Sequence, residues 1–113
     1  MLNVESIRDY CLSKVETVEA MPFGDSTLVF KVRNKIFLLL PLDSSLTINV
    51  KADPADALEQ REMYEAVKPG FHMNKKHWNT VVIDGTIPDK EILTFIDDSY
   101  GLVLKSAGRS KQT

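Results

Sequence analysis

One stretch of the chain, residues 70–81, holds most of the side chains that could bind another molecule. Lysine ammonium groups pair with phosphates, asparagine amides read base edges, and an indole ring offers a plane on which a base can stack. These residue types favour binding chemistry over bond breaking. The candidates in this stretch are His72, Asn74, Lys75, Lys76, His77, Trp78 and Asn79.

A second group of basic and amide side chains surrounds a predicted β-hairpin. Apolar-rich segments predict strands over 28–32 and 35–40, and an asparagine between them tolerates the left-handed backbone of a tight turn. The group consists of Lys31, Arg33, Asn34 and Lys35. If the fold brings both groups to one face, they would form a single nucleic-acid contact surface.

The usual signatures of catalytic and metal sites are missing from the sequence. His72 and His77 are five residues apart, which in a strand directs them to opposite faces, and no carboxylate lies between them. There is no glycine-rich phosphate loop and no serine nucleophile elbow. Cys11 falls on the apolar stripe of a helix and is interpreted as a core residue. We therefore expect no metal and no cofactor, and favour a binding protein over an enzyme.

The first half of the chain predicts a helix, a loop and a three-stranded meander. The helix covers 3–15, with its apolar residues on one side. Proline and glycine predict a loop over 19–25, whose Met21 and Phe23 would anchor it to the core. After the hairpin, a third strand over 46–51 alternates between inward apolar and outward polar residues.

The second half predicts two more helices and one more strand. Asp53 and Pro54 begin a helix that runs to about residue 66 or 67, because aspartate caps a helix and proline suits its first turn. A strand covers 78–84, and Pro88 begins the last helix. The pattern as a whole predicts an α+β fold, in which an antiparallel sheet of about four strands or more packs with three helices.

Composition limits the function that such a domain could have. We interpret residues 1–106 as one domain and 107–113 as a frayed tail. The net charge of −2 gives no overall attraction to nucleic acid, so DNA binding would need a local basic patch. The chain begins with no signal peptide, and its longest apolar run is too short to span a bilayer, which predicts a cytoplasmic protein without a membrane segment.

A specific run, Gly-x-His-Met-Asn-Lys-x-His-Trp-Asn, covers residues 70–79, and shorter characteristic segments lie at 22–24, 35–37 and 46–51. In these features the chain resembles the MmcQ/YjbR family, from about residue 3 to residue 106. The resemblance implies a fold similar to the frataxin-like CyaY proteins. It also implies DNA binding, in which two β-hairpin wings grip the duplex. It supplies no catalytic residues, and a shared fold does not confer the iron binding of frataxins.

Three hypotheses follow for the function. The first is a non-enzymatic DNA-binding protein that uses the hairpin and the 71–79 segment. The second is a protein- or small-ligand-binding module, in which an apolar groove is lined by Trp78, Phe71, Met73 and Tyr100. The third is an enzyme with a buried nucleophile or base beside an ionisable neighbour. A purely structural role for the 70–81 stretch is the alternative to all three.

Overall fold

A six-stranded antiparallel sheet, in the order β1-β2-β3-β4-β6-β5, forms the centre of the computed structural model. The structure describes residues 1–110, of which 108–110 are described only as helix backbone. The strands are β1 Thr17–Ala20, β2 Thr27–Val32, β3 Lys35–Pro41, β4 Thr47–Lys51, β5 Val67–Pro69 and β6 Trp78–Val82. The helices are α1 Val4–Leu12, α2 Pro54–Met63 and α3 Asp89–Ser110. The predicted α+β class, with an antiparallel sheet and three helices, is therefore confirmed.

All three helices cover the same face of the sheet, and the hydrophobic core lies between them. Ile7 of α1 and Ile96 of α3 are fully buried against Phe30 and Ile48 of the sheet. Burial of such side chains contributes about 1.5–3 kcal/mol each, so this core accounts for most of the stabilisation. The opposite face, which we call the outer face, is covered by loops alone within the described residues.

The first helix is shorter than its apolar pattern predicts. Asn3 caps its start, since the Asn3 side chain accepts from the Ser6 backbone N–H at 2.8 Å and the Ser6 hydroxyl accepts from the Asn3 N–H at 2.8 Å. The helix ends at Leu12, and Val15 is largely exposed. The predicted extension to residue 15 is therefore wrong, because the chain turns there to enter β1.

Two short strands lie where the sequence predicts other structure. β1 occupies the first part of the predicted loop over 19–25, and Met21 and Phe23 point to solvent rather than into the core. Likewise α2 ends at Met63, and the residues expected to extend it lead into β5. Both strands lie at the edges of the sheet, so pairing with a neighbour rather than their own residue pattern stabilises them.

A bulge in β3 explains why its apolar residues do not alternate. Phe30 pairs with Leu38 and Lys31 pairs with Ile36, which leaves Phe37 without a partner in β2. Phe37 and Leu38 are both fully buried as a result. After the bulge, Leu38 faces the helices and the next residue faces the outer side.

The last helix confirms the predicted helical spacing. Ile92, Ile96 and Val103 are buried on one side of α3, and Tyr100 is half-buried beside them. Ala107 is also buried within the helix, which continues to Ser110. Residues 111–113 of the expected tail lie outside the described residues.

Candidate nucleic-acid interface

The outer face of the sheet carries a row of half-buried basic and aromatic side chains. In antiparallel pairs, opposite residues point to the same side of the sheet. Lys31 pairs with Ile36 across β2 and β3, and Lys51 pairs with Trp78 across β4 and β6. Between these two pairs the β3–β4 pairing ends at Leu38 and Val50, and the Ser99 hydroxyl bridges the Lys51 N–H and the Phe37 carbonyl. The side chains of Lys31, Ile36, Lys51 and Trp78 are all of intermediate exposure. We call these four residues the basic row.

The fold brings both groups of candidate residues to one end of the sheet. β3 begins at Lys35, β4 ends at Lys51 and β6 begins at Trp78. Because these adjacent strands are antiparallel, the start of β3, the end of β4 and the start of β6 lie side by side. The β2–β3 turn and the loop before β6 therefore flank the basic row.

The β2–β3 turn has the geometry predicted for a tight hairpin. Arg33 and Asn34 have φ angles of 50° and 70°, which match a two-residue turn with both residues in the left-handed region. The Arg33 guanidinium lies 3.3 Å from the Glu16 carboxylate, so its charge is partly offset. Neither Lys31 nor Lys35 forms an ion pair with any described residue.

Several candidates in the 70–81 stretch form hydrogen bonds that stabilise the loop itself. Asn74 accepts from the Lys76 backbone N–H through Oδ1 at 2.9 Å, and its carbonyl accepts from the Trp78 N–H at 2.9 Å. The Lys75 ammonium donates to the Gly70 carbonyl at 3.0 Å. These bonds hold the loop against the start of β6. Lys75 and Lys76 are both exposed residues.

Asn79 is a correction to the set of candidate contacts. Its side chain is 0% exposed and lies on the helix side of the sheet. Asn79 Nδ2 donates to the Ala57 carbonyl at 3.1 Å and to Gln60 Oε1 at 3.0 Å, which ties β6 to α2. Strand alternation places it opposite Trp78 and Thr80, so it cannot contact a ligand on the outer face.

The two histidines occupy different environments. His72 is exposed, with a positive φ of 58°, whereas His77 is half-buried and its carbonyl accepts from the Ala52 N–H at 2.8 Å. Across residues 1–110, no cluster of three or more histidine, cysteine, aspartate or glutamate side chains could hold a metal ion. The part of the chain that the structure describes also contains no helix long and apolar enough to cross a membrane.

A cavity of about 790 Å³ lies on the outer face, next to the basic row. One wall is the loop that carries Phe71 and Met73, and the other is the β1–β2 loop with Phe23. The floor is formed by strand residues, among them Leu39 and Asn49. The full lining is Phe23, Ser26, Thr27, Leu39, Pro41, Asp43, Ser44, Ser45, Thr47, Asn49, Phe71, His72 and Met73.

This cavity agrees only in part with the groove that the second hypothesis predicts. Phe71 and Met73 line it, but Trp78 does not. Tyr100 belongs to the helix face, where its ring packs edge-to-face with Phe37 at 5.2 Å and its hydroxyl donates to the Val15 carbonyl at 2.6 Å. Sequence reasoning placed Asn49 on the outward side of its strand by alternation, but did not include it among the candidate site residues.

The helix side of the molecule is acidic. A second cavity, of about 340 Å³, is lined by acidic residues of α2 and α3, including Asp53, Asp56, Asp97 and Asp98. Burial and the charge of Asp97 raise the pKa of the Asp98 carboxyl. Lys14 is paired with Asp97 at 2.5 Å. Negative charge is thus concentrated on the face opposite the basic row.

Cys11 lies in the core and is fully buried. Burial raises the pKa of its thiol to about 12. A catalytic cysteine needs the opposite shift, because the thiolate is the nucleophile. Cys11 therefore packs as a small apolar side chain.

Comparison with known proteins identifies the family. The family model named YjbR matches residues 12–102. This chain belongs to the YjbR family. Among its relatives, the uncharacterized protein YbdF of Escherichia coli O157:H7 is 39% identical over 92 residues, which cover 80% of this chain and 75% of YbdF. The uncharacterized protein YjbR of Escherichia coli K12 is 27% identical over 100 residues, covering 88% of this chain and 85% of that protein.

Solved structures of similar proteins share the fold of this YjbR-family chain. The crystal structure of Deinococcus radiodurans protein DR2400, which carries the domain DUF419, aligns with a TM-score of 0.88 at 36% identity. The alignment covers 93% of this chain and 80% of the Deinococcus radiodurans chain. A Pseudomonas syringae protein aligns with a TM-score of 0.79 at 27% identity, covering 90% of this chain and 99% of that one.

Proposed function

We propose that this protein binds single-stranded DNA through the basic row and acts without catalysis. The observation that carries the proposal is the placement of Trp78 beside Lys51 in the row that Lys31 also occupies, on the sheet face that no helix covers. Proteins that bind single strands combine lysines that follow the backbone with an aromatic ring on which a base stacks. The basic row offers both on strands β2, β3, β4 and β6, which are consecutive in the sheet.

Electrostatics supports the same face. The ammonium groups of Lys31, Lys35, Lys51 and Lys76 form no ion pair within the described residues, so they are available to phosphates. The acidic helix side would repel a polyanion. The overall charge of −2 makes binding local and dependent on these few lysines.

The shape of the two flanking elements favours a single strand over a duplex gripped by wings. The β2–β3 connection is a two-residue turn, and Arg33 at its tip is paired with Glu16. The loop before β6 is held to the sheet by the bonds of Asn74 and Lys75. Neither element is a long projecting arm, and the basic row between them is partly exposed, which suits an unpaired strand better than a gripped duplex.

A fluorescence-anisotropy titration of labelled single-stranded and duplex DNA tests the proposal. For about three to five neutralised phosphates, the logarithm of the binding constant should fall with the logarithm of salt concentration with a slope of about −2 to −3.5. The double variant Lys31→Glu/Lys51→Glu should weaken binding and make the slope shallower by about 1.4, since two phosphate contacts are lost.

The matched control is Lys90→Glu/Lys105→Glu, which makes the same change in charge at exposed positions on α3. It should bind more tightly than Lys31→Glu/Lys51→Glu by at least several-fold. Equal weakening by the two variants would mean that net charge alone matters. Absence of binding at low salt would reject DNA binding altogether, and tighter binding of duplex would favour the wing model.

A further inference from the structure

The cavity on the outer face has a built hydrogen-bonding floor. The Phe71 backbone N–H donates to Thr80 Oγ1 at 2.9 Å, and the Thr80 hydroxyl donates in turn to Asn49 Oδ1. Because Thr80 accepts from a backbone N–H, its own proton is free to point at Asn49. This chain of donors fixes the orientation of the Asn49 amide, with its oxygen toward Thr80.

The Asn49 amide nitrogen is available to a molecule bound in the cavity. Asn49 is 7% exposed and lines the cavity floor, and its Nδ2 forms no hydrogen bond with a described residue. Among the described residues, the buried side-chain atoms without a partner are Thr17 Oγ1 and Asn79 Oδ1, so Asn49 Nδ2 is reached from the cavity and is not sealed in the core. An accessible amide N–H of this kind is available to donate to a bound molecule. The group that fits is a hydrogen-bond acceptor such as a carbonyl oxygen.

The walls of the cavity suit a flat, apolar ring. Phe23 is 62% exposed and Phe71 is 52% exposed, which is unusual for rings of this size, and they line the cavity from two different loops. Leu39 and Met73 complete the apolar surface. The volume of about 790 Å³ falls within the range of small-molecule sites.

Charge sets the direction in which a nucleotide would lie. Lys51 follows Asn49 by two residues on the same face of β4, a separation of about 6.7 Å along the strand. Asp43 lines the cavity at its other end, where β3 leads into the next loop. A phosphate is therefore favoured at the basic row and disfavoured beside Asp43.

We propose that this cavity is a base-binding pocket, which takes one unpaired base of the DNA strand whose phosphates lie on the basic row. The proposal rests on the proposed function and adds a preference among bases. Asparagine reads adenine with its oxygen and nitrogen together. The Asn49 oxygen is turned towards Thr80, from which it accepts, and Nδ2 is the amide group left to face the cavity, so donation to a carbonyl edge, such as that of thymine, is favoured.

Competition between oligo-dT and oligo-dA of equal length, measured by anisotropy at low salt, tests the pocket. The unmodified protein should bind oligo-dT about 5- to 10-fold more tightly, the worth of one well-placed hydrogen bond. Phe71→Ala should weaken oligo-dT binding by about 5- to 100-fold, since base stacking on an aromatic ring is lost. Leu58→Ala, a similarly exposed residue (57%) on α2, should have no effect.

A third variant, Asn49→Leu, removes the donor while keeping a similar volume. It should abolish the preference for oligo-dT and leave oligo-dA affinity unchanged. Phe71→Ala provides the independent readout if Asn49→Leu fails to fold, because an exposed ring can be removed without loss of the core.

The outcomes separate this pocket from the DNA binding on which it rests. Salt-dependent binding with equal affinity for both oligomers, and with Phe71→Ala equal to Leu58→Ala, would overturn the pocket and leave the basic row intact. No binding of either oligomer at low salt would overturn both proposals.

Discussion

Thr80 is the residue that joins the sheet to the loop above it. Its hydroxyl oxygen accepts from the backbone of Phe71 and its proton goes to Asn49, so one side chain positions both a wall and the floor of the outer-face cavity. Thr80 is fully buried, which raises the cost of losing either bond.

Replacement of Thr80 with valine should therefore reduce stability. The change keeps the shape of the side chain but leaves the Asn49 amide oxygen without its donor, at a cost of about 1–3 kcal/mol. Urea unfolding measures the loss. Thr94→Val is the control, because the Thr94 hydroxyl donates only to the Lys90 carbonyl of its own helix, and it should change stability by less than about 0.5 kcal/mol. Equal stability of the two variants would contradict the role of Thr80.

Burial of the Cys11 thiol makes the stability of the protein depend on pH in the alkaline range. The thiol has a pKa of about 12 in the folded protein, against an ordinary value of 9.0. The folded state keeps the proton while the unfolded chain releases it, so this contribution to stability is complete below about pH 9 and is lost as the pH rises towards 12. Tyr10, whose pKa is raised to about 12 by its hydrogen bond to Asp97, acts in the same direction.

Urea midpoints at pH 7 and pH 10.5 measure this effect. The unmodified protein should lose stability between the two, and Cys11→Ala should lose less, although it starts lower because of the cavity it creates. The thiol should also react with a labelling reagent slowly in buffer and rapidly in denaturant. Fast labelling of the folded protein would contradict its burial.

At the scale of the elements, the close approach of β5 and β6 depends on a glycine. A Cβ placed on Gly70 would lie 2.9 Å from the Trp78 Cβ and 3.0 Å from the Trp78 carbonyl oxygen. These are fixed atoms that cannot rotate away. The packing of the two strands therefore requires the absence of a side chain at this position.

Gly70→Ala should destabilise the protein by about 1–3 kcal/mol, as overpacking does in other proteins. Gly101→Ala is a natural comparison, because a Cβ there meets nothing within 4 Å in the middle of α3 and should stabilise the helix by about 0.5–1 kcal/mol. Thermal unfolding of both variants gives the two signs. A neutral Gly70→Ala would mean that the strands can separate without cost.

Elements with a local signal could be predicted from the sequence, and elements without one could not. The β2–β3 hairpin follows from its two apolar strands and from Asn34 in the turn. α3 follows from its regular spacing. β1 and β5 have four and three residues, too few for a pattern, and form because a neighbouring strand pairs with them. The end of α1 depends on the turn into β1, which local spacing does not encode.

The candidate site could likewise be predicted only where a local sequence pattern indicates it. Residues at the ends of strands, such as Lys31 and Trp78, lie on the outer face that alternation predicts. Asn79, in contrast, is buried against α2. Its burial could not be predicted, because the side of β6 that the helices cover is a property of the tertiary structure. Alternation places Asn49 on the outer face of β4, but its bond to Thr80, far along the chain, could not be predicted from local pattern.

For the molecule as a whole, the two faces of the sheet differ in charge and in covering. The helix side carries the core and the acidic residues, and the outer face carries the basic row and the cavity. A chain with a net charge of −2 can bind a polyanion only if its charges are separated in this way. Trp78 is the only tryptophan and lies in the basic row, so its emission reports on that face alone.

The most direct test is the intrinsic fluorescence of Trp78 during titration with unlabelled oligo-dT at low salt. Stacking of a base on the indole should quench the emission, added salt should restore it, and Lys31→Glu/Lys51→Glu should need a higher DNA concentration for the same quenching. If the Trp78 emission stays unchanged at DNA concentrations where anisotropy shows binding, the DNA lies elsewhere. That result would contradict the assignment of the outer face.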